Sequence, residues 1–211
     1  MSGKIKRTAD FVHDYLLKTG SKDLENAWGP NYRWEHTQRV ACWTLRLANE
    51  ERANAEKCVI AALFHDVSHF VCENYREHGT KSAEIARDFL QKNGYDKDFV
   101  ENVAYAVETH VAEPNPKTLE AKILQDADTL DRFGYFRILL LGKKAEVSNL
   151  ENLRKEVNSS LAYLNKLERG EFGPMWTNTG KAKLKELVNL NKAFLGGVLE
   201  ELENTKTPNM V

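Results

Sequence analysis

Apolar residues along this chain recur at three- and four-residue spacing with charged residues between them, the pattern of amphipathic helices. In "RTADFVHDYLLKTG", residues 7–20, Phe11, Val12, Tyr15 and Leu16 share a face and Gly20 ends the run. A loop through Trp28, Gly29 and Pro30 leads into "WEHTQRVACWTLRLANEE", residues 34–51, whose Val40, Trp43 and Leu47 point inward. "NAEKCVIAALFHDV", residues 54–67, is apolar nearly all round and predicts a central buried helix. Residues 69–79 are polar and loop-like. "TKSAEIARDFLQKNG" follows as a helix with small residues at its start and Gly94 as its stop. "DKDFVENVAYAVETHV" is another, closed by Pro114 and Pro116. "TLEAKILQDADTLDRFGYFRILLLG" reads as one or two helices with a break near Gly134. The last third holds a long charged helix over 146–170, a loop "EFGPMWTNTGK" and a final helix over 181–204. Few stretches read as strands, and no repeat or low-complexity linker interrupts the chain. The expectation is an all-α bundle with additional C-terminal helices packed on the same core, one domain over 1–211.

Length and composition sharpen this only a little. The 211 residues can bury a real core, and 42% hydrophobic with 29% charged residues is ordinary for a soluble protein. Thirty Lys and Arg against 31 Asp and Glu leave a net charge of -1. No global basic field exists to draw nucleic acid or an anionic membrane, so neither is an expected partner. Cys42, Cys58 and Cys72 form no C-x-x-C pair, which speaks against a disulfide framework or a cysteine zinc site and for a reducing cytoplasm. No apolar run approaches the roughly 18 residues of a membrane span, and the N-terminus has no signal-peptide core. A cytoplasmic protein is expected.

Candidate chemistry concentrates at "ALFHDVSHF", residues 61–69. His65 and His69 are four apart, as in zinc proteases, but that motif needs Glu beside the first His, and here Asp66 stands there. The helix is also expected to end near Ser68, which would part the two rings. Histidines from separate helices make a better set. His36 lies in one helix and His65-Asp66 in a later, buried one, and "QDADTLD" at 125–131 offers Asp126, Asp128 and Asp131. Two His and two Asp can clamp one hard or borderline divalent ion. Asp66 follows "CVIAALF", where an unpaired carboxylate would be costly and a cation beside it removes the cost. "GTKS" at 79–82 lacks the spacing of a phosphate loop, because Thr80 intervenes and Asn74 replaces the upstream glycine.

His36, His65-Asp66 and Asp128, taken in order, resemble the H…HD…D signature of the HD superfamily of metal-dependent phosphohydrolases. "HGTKSAEIARDFL", "LEAKILQDADTLDRFG" and "MWTNTGKAKL" are similar to stretches of the small single-domain HD hydrolases of bacteria and archaea, so the likeness spans about residues 30–200. The resemblance implies a metal-site core over about 25–145 and a helical extension over about 146–205. It also implies a divalent ion, Mn, Fe, Mg, Ni or Zn, held by His36, His65, Asp66 and Asp128. The family register selects Asp128 and leaves Asp126 second. Asp131, three residues on and near the same helix face, is expected to orient a ligand, while Asp126 lies about 200° away. Thr129 stands where family members often carry Arg or Lys, which removes a phosphate contact from that position.

Some HD proteins hold a second ion with two further histidines, and His78 and His110 fall in the right order to do so here, with Asp66 bridging. They could equally meet the substrate phosphate or be ordinary helix-terminal residues. The implied reaction is attack of hydroxide, generated on the ion by His65 and Asp66 as catalytic residues, on a phosphoester or phosphoanhydride of a nucleotide or similar small phosphate. Arg39 and Lys81 are the candidate grips on phosphate, and Trp34, Tyr75 and Trp176 could stack a base. His13 reads as an ordinary surface residue, and His69 as a loop residue rather than a ligand, one that could line the site. Two other functions compete: a di-iron oxygenase, served equally well by His78 and His110, and a nucleotide sensor without turnover.

Overall fold

The computed structural model describes residues 3–25, 28–74, 77–111, 115–134, 149–171 and 174–204. Regular structure among them is helical: α1 Gly3–Thr19, α2 Pro30–Glu50, α3 Ala55–Phe64, α4 His78–Lys92, α5 Lys97–Thr109, α6 Leu119–Phe133, α7 Leu150–Glu168 and α8 Asn178–Asn204. A short 3-10 turn, Ser21–Asp23, follows α1. The all-α expectation is met. Of these helices none is long and apolar enough to cross a membrane. The segment 135–142, on which part of the sixth predicted helix fell, and Tyr75 lie outside the described residues.

The chain divides into two compact units. One comprises Met1–Asp131 with Met175–Gly180, the other Arg132–Pro174 with Lys181–Val211. In the first, α3 is the centre, as its all-round apolarity predicts. Every residue from Cys58 to Phe64 is buried, and α1, α2, α4 and α5 all pack against it. Phe11, Phe64 and Phe89 form an aromatic knot, with ring centroids 4.4 Å apart for Phe11–Phe89 and 5.6 Å for Phe64–Phe89. Burying such side chains contributes on the order of 1.5–3 kcal/mol each. Cys58 sits in this core, and burial, with the charge of Glu120 adding, pushes its thiol up to about 12, which makes it an inert apolar filler.

Helix boundaries follow local chemistry. Pro30 occupies the first turn of α2 and Gly29 its N-cap. The side chains of Asn54 and Asp96 accept from the backbone N–H of Lys57 and Phe99 and so open α3 and α5. Gly94, at φ +73°, takes the left-handed conformation that closes α4. In the second unit Asn149 caps α7 in the same way. Asn191 donates to Phe133 O at 3.0 Å, and the Phe133 and Tyr163 rings stack at 5.7 Å.

Two features of the first unit position the site. First, α3 stops at Phe64, and His65 is its C-cap. The chain then makes a run of tight turns, with Val67, His69 and Val71 N–H bonding to Phe64, Asp66 and Ser68 O. His69 therefore leaves the helical face of His65, and the zinc-protease arrangement does not form. Second, α4 begins against the end of α5. A Cβ on Gly79 would lie 2.6 Å from Glu108 O, so only glycine permits this approach. The closeness sets His78, at the start of α4, beside His110, the C-cap of α5.

Candidate metal centre

Four imidazoles converge on one carboxylate. Asp66, buried in the turn after α3, turns its Oδ2 toward His36 Nε2 at 3.6 Å and His65 Nε2 at 3.5 Å. Its Oδ1 faces His78 Nε2 at 3.1 Å and His110 Nε2 at 3.7 Å. The two imidazoles on each side also meet: His36 and His65 through Nε2 atoms 3.2 Å apart, His78 and His110 through Nε2 atoms 3.1 Å apart. Asp128 Oδ1 adds a second carboxylate 3.4 Å from His36 Nε2. His36, His65 and Asp66 thus form one group of ligand atoms, all within 4.8 Å of one another, and Asp66, His78 and His110 form another.

The protonation pattern tests whether a cation fits. His65 Nδ1 lies 2.7 Å from Ala62 O and His110 Nδ1 lies 2.6 Å from Val107 O. A carbonyl only accepts, so each ring carries its proton on Nδ1 and presents a bare Nε2 lone pair inward. His36 is set likewise by Asp131, whose Oδ2 lies 2.8 Å from Nδ1. Two Nε2 lone pairs facing each other at 3.2 Å repel unless something positive lies between them. For the protein alone that is a proton. Burial opposes charge on His36, but hydrogen bonds with Asp128 and Asp131 and the fields of Asp128 and Asp66 outweigh it and raise its pKa to about 9. His65 goes the other way, to about 4, because it is fully buried and has His36 and His110 as neighbours, which together outweigh the carboxylates. Asp66 is held well below the usual carboxylate range. Burial disfavours its charge, yet the field of His65, the contacts with the His110 and His78 rings, and the charge of Arg33 prevail. An ionised carboxylate with one oxygen per imidazole pair, and imidazoles with fixed inward lone pairs, fit divalent cations of the hard-to-borderline class.

Surrounding groups orient these ligands. Asp131 accepts from Arg39 through both oxygens, Nε at 2.8 Å and Nη2 at 3.2 Å. Arg39, expected at the substrate, is thus committed to the carboxylate that aligns His36. Ser68 Oγ donates to His78 O at 2.9 Å and lies 3.0 Å from Ser82 Oγ, fixing the start of α4. Lys81 pairs with Glu84 at 2.7 Å on the exposed side of α4. Asp126 faces elsewhere: it accepts from Trp176 N and Thr177 N, each at 2.8 Å, and from Thr177 Oγ1 at 2.7 Å. Trp176 Nε1 bonds Gln125, which in turn donates to Thr109 O, next to His110. His13 is partly exposed beside Asp14.

One residue that the sequence did not single out stands in the site. Arg33 Nη1 donates to Asp66 Oδ2, and its Nη2 lies 3.1 Å from His69 Nε2. The available signal was its place three residues before His36, which puts both on one face of α2.

Known proteins agree with this architecture. Residues 33–132 match the model of the HD domain. A predicted HD superfamily hydrolase from an uncultured Thermotogales bacterium superposes with a TM-score of 0.65 at 24% identity, covering 91% of each chain. An HD-superfamily hydrolase from Bacillus thuringiensis gives 0.63 at 22% identity, covering 96% of this chain and 98% of its own. At that identity these two likenesses concern the fold. No curated protein is significantly similar to the chain.

Proposed function

We propose that the chain is a metal-dependent phosphohydrolase cleaving a phosphoester or phosphoanhydride bond of a nucleotide or similar small phosphate. The observation that carries this reading is the division of the Asp66 carboxylate between two imidazole pairs. In this reading His36, His65, Asp66 and Asp128 would hold one divalent ion, and Asp66, His78 and His110 would hold a second. Ions so placed supply a Lewis acid for a phosphoryl oxygen and lower the pKa of a coordinated water. The protein's own groups do the rest. Asp131 keeps the His36 proton on Nδ1 and its lone pair aimed inward, and the Ala62 and Val107 carbonyls do the same for His65 and His110. Asp66 stays ionised throughout. Arg39 acts through Asp131 rather than on the substrate, and Lys81, paired with Glu84, is a weaker candidate for a phosphate contact.

The test is phosphate release from nucleoside mono-, di- and triphosphates with Mn, Fe, Mg, Ni and Zn, beside a His65→Ala control. Turnover is expected in the wild type and a fall of at least ~10³-fold in the control, the usual scale for loss of a group acting at the reacting centre. Full metal content and turnover in His65→Ala would overturn the assignment. The paired imidazoles around one carboxylate would equally hold two irons for oxygen chemistry. Oxygen uptake by protein purified without air, with no phosphate release, would select that reading, and nucleotide binding without either would select a sensor.

The His36 proton gives a second prediction. Metal needs a neutral imidazole, so adding Mn to protein stripped by a chelator at pH 7 is expected to release this proton, and at pH 10 it is not. Apparent affinity should climb by about tenfold per pH unit toward pH 9 through this group. The stability of the stripped protein runs the other way. The folded pKa of His36 lies above its ordinary 6.5, so its contribution is complete below 6.5 and lost as pH rises through about 9. Isothermal titration in buffers of different ionisation enthalpy counts the protons.

A further inference from the structure

We infer that Arg33 is an anion-binding residue of this centre, a guanidinium poised beside Asp66 to take a phosphoryl oxygen of the substrate. The identity of the anion rests on the hydrolase reading above; the position of the cation does not. Arg33 lies in the first turns of α2, where a positive charge opposes the helix macrodipole. Helix energetics therefore do not favour a cation here, and its partners must hold it. Nη1 donates to Asp66 Oδ2 and Nη2 to His69 Nε2 at 3.1 Å. A guanidinium has no acceptor, so His69 accepts here with a neutral ring. This gives His69 a part in the site: it sets the rotamer of Arg33 from the turn that follows α3. The Arg33 side chain is only 18% exposed, and its buried Nε has no hydrogen-bond partner.

The oxygen that Arg33 holds is the one that faces His36 and His65. Arg33 and a divalent ion in that group would share the lone pairs of a single carboxylate oxygen and repel each other. An ion there would weaken the hold of Asp66 on the guanidinium and leave a positive charge, with an unused Nε donor, at the edge of the centre. A planar fork of N–H donors beside cations is suited to a phosphoryl group, which can accept two parallel hydrogen bonds.

This arrangement makes two effects move in opposite directions, which a purely structural arginine would not do. In Arg33→Gln, Mn binding to stripped protein is expected to tighten by about threefold to tenfold, since a nearby positive charge is gone. Binding of inorganic phosphate to the Mn-loaded protein is expected to weaken by about 10- to 100-fold, the scale of lost charge-assisted hydrogen bonds. Arg33→Lys, which keeps the charge without the fork, should fall between on phosphate and match wild type in Mn content; it carries the test if the Gln variant does not fold. Calorimetric titration of each ligand reads both. Unchanged phosphate affinity in either variant, or Mn affinity falling together with phosphate affinity, overturns the inference. Its failure is separable from that of the hydrolase reading. Wild type that binds phosphate through Arg33 yet releases none from any nucleotide sinks the hydrolase and keeps the anion site. Turnover with phosphate binding indifferent to Arg33 does the reverse.

Discussion

Asp66→Asn is expected to strip the protein of both bound ions, whereas His110→Ala is expected to lose one and keep the other. The contrast follows from how the carboxylate is shared. Oδ2 lies with His36 and His65, and Oδ1 with His78 and His110. Asparagine keeps the shape but replaces one oxygen with an amide that only donates, and removes the charge from both groups. Even changes in residues that only support metal ligands lower affinity by about 10- to 100-fold, and loss of a shared anionic ligand acts twice. Phosphate release should fall by at least ~10⁴-fold, the product of losing both charge-stabilising centres. Elemental analysis after gel filtration counts the ions, and circular dichroism checks that the helices remain. Retention of two ions by Asp66→Asn would show that the carboxylate is not shared. Loss of both ions in His110→Ala would show that the two groups do not fill independently.

How far this centre can be read from the sequence depends on the kind of signal each residue leaves. The apolar run "CVIAALF" announces a buried helix, and His65-Asp66 at its end is conspicuous because ionisable groups there need partners. The helical periodicities place α1 to α6 correctly as elements. Their ends are less legible: α2 starts at Pro30 and α4 at His78, each a few residues before its apolar pattern begins. That His36 reaches Asp66, and Asp128 reaches His36, depends on how helices pack, which periodicity does not encode; the ordered resemblance to HD proteins supplied that step. His78 and His110 meet because Gly79 lets α4 touch α5, and a lone glycine in a helical pattern carries no hint of what it will touch. Arg33 was hidden for a related reason. A charged residue on a helix face is ordinarily solvated, and only the turn after Phe64 brings His69 to it.

Asp126 shows the same limit from the other side, and it carries the second large effect. Its position in "DADTLD" made it a rival to Asp128 as a metal ligand, yet the helix turns it about 200° away. There it is 1% exposed and accepts from the backbone N–H of Trp176 and Thr177 and from the Thr177 hydroxyl. Backbone amides have no residue-type signature, so nothing in the sequence marks 176 and 177 as its partners. Asp126→Ala would leave buried donors without an acceptor, each costing about 1–3 kcal/mol. The expected loss is about 3–5 kcal/mol, or a fall in Tm of roughly 6–20 °C for a chain of this size. Asp126→Asn should cost somewhat less, since one oxygen still accepts while the amide nitrogen confronts N–H groups. Metal content is expected to stay at the wild-type value in both, because the Asp126 oxygens are spent on the 175–180 segment. A thermal melt read beside elemental analysis separates the two possibilities. A Tm within about 2 °C of wild type together with lost metal would make Asp126 a ligand after all; a large drop in Tm with metal intact leaves Asp128 as the carboxylate that completes the His36 side of the centre.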